Sequence, residues 1–276
     1  MAIPVLVFTI VVWRPIIIGI SYSFCEMRGV TPTGFAGLKN FKDVLTDTNF
    51  LQTLYNTIKY VLWSIVIGIP VPFLLAVLIN ELCHGKTVFK FVMYLPVIVP
   101  AVAVSLIWKT LYMDGEHGML NMLLGFVGVS PVKWLSSSEL AIPSIIVSMT
   151  WQGFGGALLM YLASLQGINT ELYEAACLDG AGVLRKFWHV LLPRMRGIVL
   201  LMAVRQVINV FLVTEQPLAM TGGGPNGASM SLGLTNYFYA FKYGQFERSM
   251  ALGVISFVLM LVLTFVYYGL EKKMDD

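Results

Sequence analysis

Residues 173–193 read YEAACLDGAGVLRKFWHVLLP, a polar stretch set between two apolar runs that are each long enough to cross a bilayer. A chain that spans a membrane needs a reason to keep such a segment. Thr170 is a suitable N-cap, Glu171 and Glu174 put negative charge at the positive end of a helix dipole, and Leu172, Ala175 and Ala176 form an apolar stripe. Gly180 follows where a helix would end on a left-handed residue. Beyond it Val183, Phe187, Val190 and Leu191 share one face, with Arg185, Lys186 and His189 turned away, and Pro193 stops the pattern. The expectation is two short amphipathic helices joined by a turn, presenting an apolar knob centred on Phe187. A surface hairpin that caps a bundle would show the same pattern.

The composition sets the class. Of 276 residues, 57% are hydrophobic and only 12% charged, with a mean hydropathy of +0.78, whereas a soluble domain carries about 25% charged residues. This is a polytopic membrane protein. The net charge of +3 is small and scattered, so no nucleic-acid partner is expected. Cys25, Cys83 and Cys177 stand apart, without the spacing of a metal site or a disulfide framework, and read as small buried apolar residues.

Six apolar runs are long enough to span: about Ile3 to Phe24, Ile58 to Asn80, Val88 to Lys109, Leu140 to Leu165, Ile198 to Leu218 and Ser249 to Leu270. An even number puts both termini on one side. The first run lacks a basic flank and a small-residue cleavage site, so it reads as a span and not a removed signal peptide, with Met1 an internal or late start. Lys86 and Lys90, then Arg185, Lys186, Arg194 and Arg196, then Lys272 and Lys273 concentrate positive charge in two loops and the tail. The remaining loops are more dilute and carry Asp43, Asp47, Asp114, Glu116 and Glu139. By the positive-inside rule the 173–193 stretch and both termini face the cytosol.

The spacing of Glu174, Ala175, Ala176, Gly180, Val190, Leu192 and Pro193 resembles the EAA loop of permease subunits of ATP-driven (ABC) importers, with Val190 where isoleucine is usual. Gly37 to Phe41 (GLKNF), Tyr94 to Pro96 with Trp108, and Thr221 to Pro225 (TGGGP) resemble stretches of the carbohydrate-importing branch, and GLKNF is similar to the maltose or glycerol-phosphate type first permease subunit. The resemblance runs from about Ile3 to Lys273. It implies an all-α membrane protein with the six-helix type I importer permease fold, a single transmembrane domain over 1–276 with a cytoplasmic coupling loop at 166–197. It also implies that Glu174, Ala175, Ala176, Asp179, Gly180, Ala181, Phe187 and Pro193 couple the chain to an ATPase.

Two strings imitate nucleotide motifs. Gly85, Lys86 and Thr87 spell the end of a Walker A motif, but Asn80 stands where its first glycine belongs and no strand precedes it. Gly222, Gly224 and Gly227 fit GxGxxG, yet Pro225 interrupts them after a membrane span. Both read as turns. No cofactor is expected on this chain; ATP and Mg would be used by partner ATPases. His84, His117 and His189 fall in separate loops, and neither a metal site nor a hydrolytic centre is in view.

Polar residues inside the apolar runs carry the rest. A charge at mid-bilayer costs about 2.5–3.5 kcal/mol on insertion scales, so such groups face the protein interior or a water-filled cavity. Arg14 lies in the first run, Trp151 and Gln152 in the fourth beside Gly153, Gly155 and Gly156, and Arg205, Gln206 and Asn209 in the fifth. Helix packing is one reading, since glycines allow close approach and amides bond across helices. The other is a sugar path, because amides both donate and accept and an aromatic ring suits a sugar's C–H face. By resemblance to the maltose permease, Trp151, Gln152, Gly153, Gln206 and Val210 line that path, Val210 being an apolar departure, and the polar Arg205 and Asn209 of the fifth run are counted with them.

The expected function is therefore import of a sugar or oligosaccharide, with no chemistry in this chain. The partners would be a second homologous permease subunit, two ABC ATPase subunits, an extracytoplasmic solute-binding protein, the lipid bilayer and the carbohydrate itself, in a bacterial or archaeal cell membrane. An ATP-independent secondary transporter or channel would show an inverted repeat with charged midplane helix breaks. No such repeat is visible, and Pro70, Pro72 and Pro143 read as kinks. An accessory docking subunit would lack a polar lining. An ABC permease for a non-sugar solute also fits, with Arg14 and Arg205 available to an anion.

Overall fold

The computed structural model describes residues 2–82, 84–168, 176 and 178–275. Five helices are long and apolar enough to cross a membrane, and a sixth span is a pair of helices bent by 98°. The chain divides into two compact units of interleaved segments: residues 1–57, 212–214 and 230–276, and residues 58–211 and 215–229.

In the first unit, the helices Ala2–Phe8 and Arg14–Tyr22 flank a wide turn at Thr9–Trp13 and make one apolar span. It ends in a departure from the all-helical expectation, an antiparallel hairpin of Cys25–Arg28 with Thr31–Phe35. The GLKNF stretch now has a physical reading. Gly37 takes φ +59°, and the buried Asn40 donates to the carbonyls of Ser23 and Cys25, both at 2.9 Å. Phe41 meets Phe24 at 5.0 Å, so the helix Lys39–Leu45 is clamped to the end of the first span. Arg248, on the last helix Phe246–Asp275, stands 3.9 Å from Asp43, while the Tyr239 hydroxyl donates to Asp47 at 2.9 Å. Burial pushes the Tyr239 pKa upward, and the hydrogen bond and charge of Asp47 add to it.

The second unit holds the central spans. The Phe50–Trp63 helix, which begins in the first unit, continues through a π turn at Ser64–Gly68 into Pro70–Glu81. Pro70 and Pro72 have no amide to give the regular helix ladder, and the wider turn lies where those bonds would fall. The third expected span is broken: Lys86–Ile98 and Ala101–Leu111 meet at Val99 and Pro100, both with extended ψ, as a residue preceding proline favours. Ala141–Gln166 runs unbroken, and Pro143, expected as a kink, sits harmlessly in its first turn. Gly155 on this helix meets the main chain of Met93 and Tyr94, where a Cβ would lie 2.5 Å from the Met93 carbonyl oxygen.

The fifth span differs from its expected bounds. Helix starts at Val183–Lys186, passes through a π turn at Phe187–Leu191 and continues as Leu192–Phe211, so it begins well before Ile198 and ends before Leu218. Pro193 does not stop it. The Leu192 amide reaches back to the Phe187 carbonyl, and in this widened turn a proline at the second position of the next helix needs no amide partner. The expected coupling loop at 166–197 therefore includes the root of a span. Glu215–Met220 is a separate short helix.

Candidate functional site

A cavity of about 300 Å³, lined by both polar and apolar groups, lies within the second unit. Thr150, Gln152, Gly153, Gly156 and Tyr161 form one wall from Ala141–Gln166, and Arg205, Gln206, Asn209 and Val210 form another from Leu192–Phe211. The pairs Arg205 with Asn209 and Gln206 with Val210 are four apart, so helix geometry alone turns them to one side. Gly68 and Gln216 complete the polar lining. Gly68 leaves room for an amide: a Cβ there would lie 2.5 Å from Gln206 Nε2.

The lining polar groups are mostly uncommitted. Arg205 and Asn209 are exposed, and neither they nor Gln206 have a side-chain partner among the described residues. Thr150 is 7% exposed, and its Oγ1 is, among the described residues, the one buried side-chain polar atom with no hydrogen-bond partner. A buried hydroxyl left unpaired costs about 1–3 kcal/mol, which a hydroxyl-bearing ligand or an ordered water would relieve. Gln152 is partly spent, donating to the Val99 carbonyl at 3.2 Å. The size is at the lower bound of about 300–1,000 Å³ common for small-molecule sites.

Of the seven path residues named from the sequence, six line this cavity. Trp151 does not; it packs edge-on against Trp108 at 6.0 Å. Gly155 serves helix packing, whereas Gly156, with open space around it, faces the cavity. Gly68, Thr150, Tyr161 and Gln216 were not singled out from the sequence. Of these, Gly68 alone carried a local signal, as a glycine just ahead of two prolines.

The described residues of the segment read as a coupling element belong to the same unit. Glu174 and Ala175, with Thr170, Glu171, Leu172 and Cys177, fall outside the described residues. Gly180 takes φ +70°, and the Ala181 amide donates to the Ala176 carbonyl at 2.9 Å, the six-to-one bond that closes a helix on a left-handed glycine. Asp179 is exposed beside it. Phe187, expected as an outward knob, turns inward: half-buried, it meets Phe73 at a ring-centroid distance of 6.0 Å and packs on the core built from Phe73, Leu158, Tyr161, Leu191 and Met195. Among the described residues of the segment, Leu178 is 90% exposed and Trp188 59%.

Of the two strings that imitate nucleotide motifs, the glycine-rich one at 222–227 is a turn as expected, whereas Lys86 and Thr87 begin the helix Lys86–Ile98 with Gly85 at its N-cap. Lys86 Nζ donates to the Asn80 carbonyl at 2.7 Å, next to Gly85 with φ +79°. Gly222, Gly223 and Gly227 have positive φ, and the buried Ser229 ties their loop together through Gly224 and Thr221. Among the described residues no cluster could hold a metal ion.

Several apolar spans around a half-open, amide-lined cavity define a membrane transport subunit. Residues 68–276 match the family described as the binding-protein-dependent transport system inner membrane component, and the chain belongs to that family. It is 32% identical over 267 residues to the probable ABC transporter permease protein YurN of Bacillus subtilis (strain 168), covering 95% of this chain and 91% of that one. It is 31% identical to the multiple sugar-binding transport system permease protein MsmF of Streptococcus mutans serotype c, covering 99% and 94%. To the trehalose/maltose transport system permease protein MalF of Thermococcus litoralis it is 29% identical over 88% of this chain and 81% of that one. The fold matches a chain of a bacterial ABC transporter involved in the import of the acidic polysaccharide alginate, with a TM-score of 0.85 over 99% of this chain and 93% of that one at 23% identity. The chain is thus a multi-pass permease subunit of an ABC importer, an inner membrane component and not an enzyme.

Proposed function

We propose that this subunit imports a sugar or oligosaccharide through the cavity between Ala141–Gln166 and Leu192–Phe211. The observation that carries this reading is the lining itself: the amides of Gln206, Asn209 and Gln216 and the unpaired Thr150 hydroxyl are neutral groups that donate and accept, as sugar hydroxyls require. The relatives named for multiple sugars and for trehalose and maltose support it.

A second homologous permease would enclose the path from the open side, and an extracytoplasmic binding protein would deliver cargo. Two ATPase subunits, carrying ATP and Mg, would seat the 174–188 segments on the cytosolic side, where both termini also lie; this chain holds no cofactor. Leu178, Asp179 and Trp188, with Glu174 and Ala175 of the motif, provide the docking face. Ala176, Gly180 and Ala181 hold its shape, and Phe187 and Pro193 root it in the span. Closing of the ATPase dimer then rocks the spans between inward-open and outward-open states.

Arg205 favours a second reading, in which the cargo bears an acidic group, because it is the one cation on the lining and has no carboxylate partner among the described residues. Uptake into sealed vesicles carrying the complete transporter distinguishes these readings. Labelled neutral oligosaccharide, uronate oligosaccharide, amino acid and phosphate are offered in parallel. Accumulation of either oligosaccharide alone supports the proposal, and accumulation of amino acid or phosphate alone overturns it.

A further inference from the structure

The cavity and the docking segment share a set of aromatic rings. Tyr161 lines the cavity and is 1% exposed. Its ring stands edge-on to Phe73 at 5.3 Å, with 76° between planes. Phe73 in turn meets Phe187 at 6.0 Å, and Phe187 meets Trp188 at 5.4 Å and 87°. Three separate elements contribute: Pro70–Glu81, Ala141–Gln166 and the π turn Phe187–Leu191. One end of the series is the exposed Trp188, and the other is the cavity wall.

We propose that Phe187, Phe73 and Tyr161 form an aromatic linkage that carries displacement of the docking segment to the cavity, with Phe73 as its central positioning residue. The inference rests on the reading that residues 174–188 seat an ATPase. Close-packed interiors do not deform continuously, so a ring that is pushed must displace its neighbour or be stopped by it. The edge-on Phe73–Tyr161 contact and the Phe73–Phe187 contact, tilted at 59°, join rigid rings, unlike the adaptable thioethers of Met195 and Met202 that fill the same core. Phe73 touches neither cavity nor docking face, and its substitution therefore separates transmission from binding at either end.

The test uses the complete transporter in lipid vesicles, with the native cysteines replaced and Asn209→Cys introduced as a reporter on the cavity wall. The labelling rate of the N209C thiol by a small charged methanethiosulfonate is measured with and without ATP, Mg and vanadate. With the linkage intact, nucleotide changes the rate by about tenfold or more, as a population shift between two states requires. Phe73→Leu, and separately Phe187→Leu, keep apolar bulk and remove the ring contacts. Each is expected to reduce that change to within about twofold, with ATPase subunits still co-purifying and still turning over, and the double variant is expected to be no worse than either single one. If either leucine variant retains the full nucleotide response, or the double variant multiplies the two losses, the linkage is wrong. A variant that fails to retain the ATPase passes the decision to the other, which enters from a different helix. If the reporter shows no nucleotide response with Phe73 and Phe187 in place, the ATP-coupled reading fails instead.

Discussion

The side-chain amide of Gln152 donates to the main-chain carbonyl of Val99 at 3.2 Å, across to the corner where the third span breaks. Val99 lies outside both helices of the bent pair, and Pro100 follows it, so that carbonyl depends on a side chain for its partner. Removing the amide leaves a desolvated acceptor at a bend of 98°. Gln152→Met, which keeps length without a donor, is expected to cost about 1–3 kcal/mol of stability. The unfolding midpoint of the purified complex in denaturing detergent reads this; no change would show that the corner is held some other way.

The glycines of the Ala141–Gln166 helix separate by what surrounds them. A Cβ at Gly155 would stand 2.5 Å from the Met93 carbonyl oxygen, and main chain cannot yield cheaply. Gly155→Ala is expected to lose about 1–3 kcal/mol through overpacking. Gly156 has nothing within 4 Å, so Gly156→Ala should lose none and gain up to about 1 kcal/mol in helix propensity. Its effect belongs to transport, because the methyl enters the cavity. The same unfolding assay paired with vesicle uptake distinguishes the two.

The docking segment gives a third contrast. Leu178→Asp and Trp188→Ala remove exposed apolar surface and are expected to reduce ATPase retention on purification several-fold, leaving stability within about 0.5 kcal/mol. Phe187→Ala acts inward, on the contact with Phe73, and is expected to lower stability by about 1–3 kcal/mol. Equal behaviour of the three variants in both assays would contradict the inward placement of Phe187.

The Tyr239 to Asp47 hydrogen bond sets a pH dependence. The folded-state pKa of Tyr239 is raised by burial first and then by Asp47, so the folded state disfavours the phenolate. Stability from this group is fully present below the unfolded tyrosine pKa of about 10 and declines as pH rises above it. Hydrogen exchange at residues 39–47 should accelerate above that pH, with a shallower rise in Tyr239→Phe.

How much of this was legible in the sequence follows from what each signal measures. Apolar length located the first, second, fourth and sixth spans, and the spacing of Arg205, Gln206, Asn209 and Val210 anticipated a shared face. Hydropathy misplaced the fifth span because it reads Phe187 to Leu191 as the apolar side of a loop helix, when Phe187 and Leu191 pack into the core that holds Phe73 and Met195. Leu212 to Leu218 is apolar too, yet Phe211 ends the long helix and Glu215–Met220 starts a new one. The break at Val99 was readable from Pro100 itself. Thr150, Tyr161 and Gln216 were not, since only packing of distant segments brings them to one cavity.

The most direct measurement of the central claim is cargo uptake by the complete transporter in sealed vesicles, with its binding protein outside and either ATP or a non-hydrolysable analogue trapped inside, in the absence of ion gradients. Labelled neutral and uronate oligosaccharides serve as probes. Accumulation of an oligosaccharide with internal ATP, none with the analogue, and loss of that accumulation in Gly180→Trp, whose φ of +70° a bulky residue strains against, is the predicted result. Accumulation that proceeds with the analogue, or that appears only when an ion gradient is imposed, would contradict it.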